Sequence, residues 1–363
     1  MTSLPVLNKI LIAPDKFKGS LTASEFCRIA EDVFHAAFPH VETVSVPLAD
    51  GGEGSLDCYV QATGAKTVED AFTGPDGQRV RARFALDGDT AFIEMSATAG
   101  LGLTRLRNPL YTTTYGVGEQ IARACREGAK RIFLSVGGSA TNDAGCGMAA
   151  ALGWRFLDGE GNDFIPVGGT LERIRAIVPP RPSEVRFVTL CDVTNPLFGS
   201  NGAAYVYAPQ KGASPEDVEV LDQNLRHFGN MCSAYGKNLA SVPGAGAAGG
   251  LGAGSIFFLN AKLQKGAETF FELTRLREKI AEADLVVTGE GKIDFQTLQG
   301  KTVGALYSAA QGKRFVAFCG CAEGNLPFEC IEINDASLSL AENVSLSPEH
   351  LRDALSEFSS RWN

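Results

Sequence analysis

The stretch KILIAPDKFKGSLTASEFCRIAEDVF, residues 9–34, decides the fold class. Its first residues, 9–13, are an apolar run that predicts a short buried strand, and a charged loop follows them. Thr22 and Glu25 then have the spacing of a capping box, and apolar residues recur at helical spacing from Phe26 onward. A buried strand, a polar loop and an amphipathic helix in this order are typical of α/β proteins with parallel sheets.

The same order recurs towards the other end of the chain. There, strands at 284–291 and 314–320 flank a helix that begins at about residue 301, and one long helix is predicted before them. In the middle of the chain the period changes, because 79–86 and 90–97 alternate between apolar and polar residues. The Asp-Gly-Asp sequence between these two runs predicts a β-hairpin.

We therefore predict an α/β protein with two α/β domains and a cleft between them, one domain built from both chain ends and one inserted. A chain of 363 residues is also longer than one hydrophobic core usually serves. Residues 1–66 plus 260–363 would form an α/β domain with a parallel sheet of the Rossmann or flavodoxin type. Residues 67–259 would form the inserted α/β domain, with a mixed sheet and the loop GGSATND.

The composition excludes several classes of function. A net charge of −9 argues against a large surface for nucleic acid or an anionic membrane. No apolar stretch is long enough to span a membrane, and the N-terminus lacks the pattern of a signal peptide. The nine cysteines include no C-x-x-C pair, which indicates a cytoplasmic protein with thiols used as small core residues. The four histidines lie in no motif, so neither a zinc site nor a histidine-centred mechanism is expected.

Polar loops follow the first two predicted strands, at the strand ends where ligands bind in open α/β sheets. PDKFKGS contains Asp15, Lys16 and Lys18, and its lysines could bind a phosphate or a carboxylate. PLADGGEGS sets Asp50 and Glu53 around two glycines, which would let the backbone approach a ligand beside a carboxylate that could hold Mg²⁺. A solvated loop and a plain turn remain the alternatives for these two segments.

Two further loops follow strands in the middle of the chain. SVGGSATNDAGCG, residues 135–147, combines glycines with hydroxyl side chains before a helix, and such a loop can cradle a phosphate. A helix-capping turn is the alternative, but four capping residues in five positions exceed what one cap needs. In LCDVTNPLFG, Asp192 follows an apolar strand and could accept a proton as a general base, or could simply cap the turn.

The segment VVTGEGKIDFQTLQGKT combines Glu290, Lys292, Asp294 and Lys301, a mixture of charges that suits a metal and phosphate site. Its second half resembles a P-loop, but Phe295 replaces the first glycine and no strand is expected to lead directly into it.

The segment PGAGAAGGLGAG, residues 243–254, matches the G-x-G-x-x-G pattern of dinucleotide-binding proteins. That pattern should follow a strand and open a helix, and the residues before it contain no apolar run. We therefore expect these glycines to line a site, or to form a hinge, where two domains meet.

Together these segments resemble the bacterial type I glycerate kinase family. The resemblance rests on KILIAPDKFKGSLTA, PLADGGEGS, IEMSATAGLGL, NPLYTTTYGVGE, GGSATNDAGCGMAAALG, CDVTNPLFG, APQKGA, PGAGAAGGLGAG and TGEGKIDFQTLQGKT, which run in family order from residue 9 to about 304. Phe295 stands where the family often has glycine, and the match fades beyond about residue 320. The resemblance implies phosphorylation of D-glycerate by ATP, with 2-phosphoglycerate as the product, in a cleft between two domains.

With that resemblance, the motif residues receive roles in phosphoryl transfer, which is mostly positioning and charge neutralisation. The expected cofactors are ATP and Mg²⁺. The candidate catalytic residues are Asp192, first choice as the base, Asp294, Lys16 and Lys292; the phosphate-binding residues are Gly137, Gly138, Ser139, Thr141, Asn142 and Asp143; the substrate-binding residues are Lys18, Asp50, Gly51, Gly52, Gly246 and Gly249; and the Mg²⁺ ligands are Asp50, Glu290 and Asp294.

Two other classes of function stay open at this point. An NAD-dependent dehydrogenase of a small hydroxy acid would also use glycines and lysines, and a non-catalytic metabolite-binding protein would share the two-domain layout. The expected partners are small molecules, with no nucleic acid and no membrane, and a homo-oligomer is possible.

Overall fold

A computed structural model describes residues 7–17, 19–298 and 302–361. The strands are β1 (Lys9–Ile12), β2 (Glu42–Ser45), β3 (Lys66–Thr73), β4 (Arg79–Asp87), β5 (Thr90–Glu94), β6 (Arg131–Ser135), β7 (Arg155–Leu157), β8 (Asp163–Phe164), β9 (Ala176–Val178), β10 (Arg186–Leu190), β11 (Lys262–Gln264), β12 (Leu285–Ile293), β13 (Arg314–Ala322) and β14 (Glu329–Glu332). The α-helices are α1 (Ala23–Ala37), α2 (Ser55–Thr63), α3 (Ser96–Ala99), α4 (Tyr115–Arg126), α5 (Cys146–Ala151), α6 (Ala203–Tyr207), α7 (Pro215–Ala234), α8 (Ala247–Leu259), α9 (Gly266–Leu273), α10 (Leu276–Glu282), α11 (Phe295–Leu298), α12 (Thr302–Ala309), α13 (Leu340–Ser345) and α14 (Ser347–Ser360). Short 3₁₀ turns cover Gly168–Arg173 and Pro209–Lys211.

The chain divides into two compact units. Unit 1 comprises Met1–Asp50, Asp57–Gly64 and Ala267–Asn363, and unit 2 comprises Gly51–Leu56 and Ala65–Gly266. Each unit contains its own sheet and its own hydrophobic core. The α/β fold class predicted from the sequence is confirmed.

Unit 1 is built on a five-stranded parallel sheet in the order β14-β13-β12-β1-β2. Successive side chains of β1 enter opposite layers, because strand side chains alternate between faces. Ile10 and Ile12 pack with α1 and α14, whereas Leu11 packs with α10 and α12. A parallel sheet buried on both faces explains why residues 10–13 are apolar without interruption.

The predicted capping box starts α1. The Thr22 hydroxyl accepts from the Glu25 backbone N–H at 3.1 Å, and the Glu25 carboxylate accepts from the Thr22 N–H at 2.8 Å. The single helix predicted before β12 is wrong. The chain instead forms α9 and α10, separated at Arg275, whose φ of 53° lies in the left-handed region.

Unit 2 contains a six-stranded mixed sheet in the order β11-β10-β6-β5-β4-β3 and a small antiparallel sheet, β8-β7-β9. Strands β11, β10, β6 and β5 run parallel, and the predicted hairpin between β4 and β5 is present, with Asp87 opposite Thr90. Across the described ranges, no helix is both long and apolar enough to cross a membrane.

Candidate active site

The parallel strands of unit 2 end in one row. Glu94 of β5 is in register with Ser135 of β6, Ser135 with Leu190 of β10, and Leu190 with Gln264 of β11. The loops that follow these strands therefore emerge at the same edge of the sheet, where ligands bind in open α/β sheets. Two of these loops contain residues that the sequence predicts to be functional: the loop at 137–143 and the loop that contains Asp192.

Two glycine loops touch at this edge. The Gly137 N–H donates to the Gly51 carbonyl at 3.2 Å, and a Cβ on Gly137 would lie only 2.5 Å from the Gly52 Cα. Gly51 has a φ of 83° and lies against Leu190, where an added Cβ would be 3.0 Å from the Leu190 Cβ. The structure thus brings together glycines from two motifs that are more than eighty residues apart in the sequence.

Glu94, which the sequence analysis did not single out, holds the first of these loops. Its buried carboxylate accepts from the N–H groups of Gly54 at 3.1 Å and Leu56 at 3.0 Å, and from the Ser96 hydroxyl at 2.6 Å. The signal available in the sequence was a carboxylate at the end of a buried strand. Such a group needs internal donors, because an unpaired buried charge is costly.

Ser139 is hydrogen-bonded to Lys211, which lies in the segment APQKGA and has no predicted role. The Lys211 ammonium donates to the Ser139 hydroxyl at 2.8 Å and to the Thr141 carbonyl at 2.7 Å. Burial lowers the pKa of Lys211 to about 7, and the nearby negative charge of Asp143 opposes that shift. Lys211 is 2% exposed and Ser139 is 7% exposed, so the cation lies inside the loop.

The loop also contains polar side chains that the protein does not satisfy. The Thr141 hydroxyl and both polar atoms of the Asn142 amide are buried and have no hydrogen-bond partner among the described residues. Gly138, beside them in sequence, has a φ of 74°. Buried polar groups are nearly always paired, so a loop with unpaired donors and closely packed glycines fits a phosphate ligand better than a simple capping turn does.

Asp143, which the sequence predicts to be a phosphate-binding residue, directs its carboxylate into the fold. Its buried carboxylate accepts from the N–H groups of Thr114 at 2.8 Å, Gly145 at 3.0 Å and Gly147 at 3.2 Å, and from the Thr114 hydroxyl at 2.8 Å. Burial raises the pKa of this carboxyl, and the four hydrogen bonds act in the other direction. Since both oxygens are engaged inside the fold, Asp143 fixes the shape of the loop.

Asp192 is exposed two residues past the end of β10, and its Oδ1 accepts from the Gly266 N–H at 2.9 Å. The glycine-rich segment 243–254 packs closely against the loop that contains Asp192. A Cβ on Gly246 would lie 2.2 Å from the Pro196 carbonyl oxygen, and one on Gly244 would lie 2.9 Å from the Cys191 sulfur.

The same segment also packs against the loop at 137–143. Gly249 has a φ of 67°, and a Cβ there would lie 2.0 Å from the Thr141 carbonyl oxygen. The predicted hinge is wrong, because residues 243–254 lie wholly inside unit 2. Residues 235–242, all of them described, form no strand before this segment, so the rejection of a dinucleotide fingerprint is confirmed. Gly246 and Gly249 are buried against backbone, which makes them supports for the two loops.

Unit 1 has its own set of polar loops, beside the point where the strand order reverses. From β1 the chain passes through α1, on one face of the sheet, to β2. From β12 it passes through α12, on the other face, to β13. Loops that diverge to opposite faces leave a crevice at the carboxyl ends of the strands, which is where ligands bind in such sheets. The residues at this switch point are Asp15 and Lys16 after β1, and Glu290 to Asp294 at the end of β12.

Asp15 and Asp50 interact at this edge. Burial raises the pKa of the Asp15 carboxyl, and repulsion from Asp50 raises it further. The Lys16 N–H donates to the Asp15 carboxylate at 2.7 Å, and the Thr302 hydroxyl also donates to it. Two carboxylates that repel each other favour a bound cation.

Glu290 and Asp294 share one threonine. The Thr297 hydroxyl donates to Glu290 at 3.3 Å, and the Thr297 N–H donates to the Asp294 carboxylate at 3.3 Å. Lys292 forms ion pairs with Glu323 at 2.9 Å and with Asp294 at 3.7 Å, and the first of these raises the pKa of Lys292. These side chains are partly exposed and charged, in contrast to the buried loop of unit 2.

Carboxylates arranged in this way fit Mg²⁺, which usually takes one or two protein carboxylates and fills its other positions with water and substrate phosphates. No group of three or more potential metal-binding side chains occurs in the described ranges, so a cage made by the protein alone is not present there. Lys18 and Lys301, both named as candidates, lie outside the described residues.

The P-loop alternative also fails in the structure. Strand β12 extends to Ile293, farther than the sequence indicated, so a strand does lead to this segment. However, α11 begins at Phe295, where a P-loop would have its first glycine.

Glycines and hydroxyl groups that follow parallel strands, together with carboxylates suited to a divalent cation, are the features expected of a kinase of the α/β class. Residues 10–361 match the model of the glycerate kinase family. The chain belongs to the glycerate kinase family.

Individual relatives agree with that membership. The chain is 45% identical over 312 residues to the glycerate kinase of Bacillus subtilis (strain 168), an alignment that covers 84% of this chain and 82% of the relative. It is 45% identical over 302 residues to the glycerate 2-kinase of Escherichia coli (strain K12), covering 81% and 79%. A crystal structure of a Salmonella typhimurium LT2 protein described as a glycerate kinase 2 superposes with a TM-score of 0.87 at 37% identity, covering 98% of both chains.

Proposed function

We propose that this protein transfers the γ-phosphoryl group of ATP to the 2-hydroxyl of D-glycerate, with Mg²⁺ as cofactor and 2-phosphoglycerate as product. The observation that carries the proposal is the loop at 137–143, where glycines, unpaired hydrogen-bonding groups and a buried lysine lie at one strand end. Family membership supports the acceptor, and the name of the Escherichia coli relative supports the position of the phosphate.

In this proposal the loop at 137–143 binds the phosphates of ATP through its backbone N–H groups and through Ser139, Thr141 and Asn142. Asp143 holds the loop in shape from inside, as its four internal hydrogen bonds suggest. Gly246 and Gly249 act in the same indirect way, by allowing backbone to pack closely behind the loops.

The charged residues supply neutralisation and acceptor binding. Mg²⁺ bound by Asp50, Glu290 and Asp294 would neutralise charge on the phosphates. Lys16 and Lys292 would stabilise the charge on the phosphoryl group as it moves. Lys18, Gly51 and Gly52 would bind glycerate. We also propose that the phosphoryl group is transferred in a cleft between the two domains.

Asp192 is the proposed general base, with Asp294 as the second choice. The glycerate hydroxyl oxygen attacks the γ-phosphorus, the hydroxyl proton passes to the Asp192 carboxylate, and the bond from the γ-phosphorus to the bridging oxygen breaks to release ADP. The hydrogen bond from Gly266 fixes one carboxylate oxygen of Asp192 in place, as a base requires.

A coupled assay tests the proposal. Purified protein is supplied with ATP, Mg²⁺ and D-glycerate, enolase is added, phosphoglycerate mutase is left out, and the absorbance of phosphoenolpyruvate is followed. We expect a signal that requires both ATP and D-glycerate. Release of ADP without phosphoenolpyruvate would mean that the 3-phosphate is formed, and no release of ADP would overturn the proposed acceptor. L-Glycerate in place of D-glycerate is the matched control.

A further inference from the structure

Lys211 is a cation enclosed in the phosphate loop. It ends the 3₁₀ turn Pro209–Lys211, and its ammonium donates to Ser139 at 2.8 Å and to the Thr141 carbonyl at 2.7 Å. These partners are 72 and 70 residues away in the sequence. Burial disfavours the charged form of this lysine even with the two hydrogen bonds, so a cation is retained in the loop at a cost.

The turn fixes the lysine in position. Gly212, the next residue, has a φ of 97°, and a Cβ there would lie 1.8 Å from the Arg107 carbonyl oxygen. No other residue fits this close approach, because a side chain would clash with backbone. The close approach at Gly212 therefore fixes the backbone from which the Lys211 side chain extends to Ser139 and Thr141.

The polarity of the contact determines what Ser139 can do. A protonated amine only donates, so while Lys211 carries its charge the Ser139 oxygen accepts from it and the Ser139 proton points elsewhere. We infer that Lys211 is a positioning residue of the phosphate loop, which orients the Ser139 hydroxyl as a donor to a nucleotide phosphate and places a positive charge directly behind it. This inference rests on the proposed function, because it takes the ligand of the loop to be the phosphates of ATP.

The charges around Lys211 predict a measurable proton movement. The negative charge of Asp143, in the loop at 137–143, acts on Lys211. The neighbouring helix α6 contains Tyr207, whose hydroxyl donates to Asn195. The Arg107 side chain is exposed, and only its carbonyl lies against the turn at Gly212. With a pKa of about 7, Lys211 is partly neutral in the free protein near pH 7. An anion bound at the loop favours the protonated amine, so nucleotide binding takes up a proton.

Calorimetry with MgATP measures that uptake, using two buffers of different ionisation enthalpy at a pH of about 7.5. The test compares the wild type with Lys211→Met, which keeps the length of the side chain without the charge. Thr112→Val is the matched control, since the buried Thr112 hydroxyl donates to the Ala140 carbonyl of the same loop at 2.9 Å and carries no charge. Any protons exchanged by ATP itself cancel in the comparison.

We expect the wild type and Thr112→Val to take up a fraction of a proton more than Lys211→Met does. Lys211→Met should bind MgATP about 10- to 100-fold more weakly, since a hydrogen bond from a charged group is lost. The inference is overturned if Lys211→Met takes up as much as the wild type, or if MgATP does not bind. Uptake that depends on Lys211, in a protein that does not phosphorylate glycerate, would support the inference and overturn the proposed acceptor.

A second measurement covers the case in which Lys211→Met does not fold. The dissociation constant of the wild type for MgATP should rise by up to about tenfold per pH unit above pH 7, as Lys211 loses its proton. Ser139→Ala retains the charge, so it should bind more weakly at every pH and keep the same slope. A dissociation constant that does not rise with pH in the wild type would overturn the inference.

Discussion

The two sets of candidate loops in this protein are built in different ways. In unit 2, the loop at 137–143 consists of glycines, buried hydroxyls and an enclosed lysine, and its side chains are between 0% and 7% exposed. In unit 1, the candidates are carboxylates and lysines at the carboxyl ends of β1, β2 and β12. Lys292, for example, is 51% exposed and paired with other charged residues.

In the proposed reaction, the two sets of loops would make different contributions to phosphoryl transfer. A loop formed by close backbone contacts supplies geometry, and its residues cannot change without moving their neighbours. Partly exposed charges supply neutralisation, and they can be replaced by neutral residues of equal size without disturbing the fold. Substitutions of the packed glycines at 137–143 should therefore affect shape and activity together, whereas those of partly exposed charged residues should affect chemistry alone.

Asp192→Asn should have the largest effect, because Asp192 is an exposed carboxylate at the strand ends of unit 2 and is the proposed base. The amide oxygen can still accept from the Gly266 N–H, so the loop should keep its shape. We expect kcat to fall by about 10²- to 10⁴-fold, the usual contribution of a general base, with an unchanged melting temperature. Steady-state kinetics with D-glycerate and ATP measures it.

Asp294→Asn is the comparison for the base, and it should lower kcat by only about tenfold, as the loss of one carboxylate from the proposed Mg²⁺ site would. If Asp294→Asn has the larger effect, the base comes from the charged unit, and the division of roles between the units no longer holds.

Gly137→Ala tests the geometry supplied by unit 2. The new Cβ would lie 2.5 Å from the Gly52 Cα, so one of the two loops must move. We expect kcat/KM to fall by about 10²-fold, since displacements of about 1 Å have effects of that size. Urea unfolding should show a loss of about 1–3 kcal/mol in the free energy of unfolding.

Gly102→Ala is the control, because nothing lies within 4 Å of a Cβ at that position. It should match the wild type in both measurements. An unaffected Gly137→Ala would mean that the two glycine loops tolerate movement, which would contradict their proposed role.

The sequence was enough to predict the strands and loops of the site, because each signal is local. The capping box at Thr22, the apolar run before Asp15 and the glycines at 137–138 each act within a few residues. The α/β class followed from the order of these signals, and so did the position of the polar residues at the carboxyl ends of strands.

Contacts between distant residues could not be predicted in this way. Nothing near Glu94 indicates that its carboxylate binds the N–H groups of Gly54 and Leu56, forty residues earlier. The contact of Lys211 with Ser139 is hidden for the same reason. The supposed hinge at 243–254 also failed for a physical reason, since a glycine chosen for close packing looks the same in sequence as one chosen for flexibility.

Glu290→Gln should have a smaller effect on activity than the substitutions above, and only the Mg²⁺ requirement should change. The Gln amide oxygen can still accept from the Thr297 hydroxyl, so only the charge is lost. We expect the Mg²⁺ concentration for half-maximal activity to rise by about tenfold, as the loss of one anionic ligand would cause. Glu323→Gln, which removes a carboxylate paired with Lys292 but not proposed as a ligand, should leave that concentration unchanged.

Asp15→Asn should have the smallest effect and the opposite sign, because it should stabilise the protein. Burial and Asp50 raise the Asp15 pKa above its ordinary value of 3.8, so the ionised carboxylate destabilises the folded state near pH 7. The neutral amide can still accept from the Lys16 N–H. In metal-free buffer we expect the free energy of unfolding, measured with urea, to rise.

The size of this stabilisation should depend on pH and on Mg²⁺. A group with a raised folded pKa favours the folded state while it is protonated, and that contribution is lost as the pH rises through the window above 3.8. The advantage of Asp15→Asn should therefore vanish below that window. It should also shrink when Mg²⁺ is added, because a cation near Asp50 removes the repulsion. A variant less stable than the wild type near pH 7 would mean that the Asp15 charge is already neutralised within the fold, and that unit 1 does not hold its carboxylates ready for a cation.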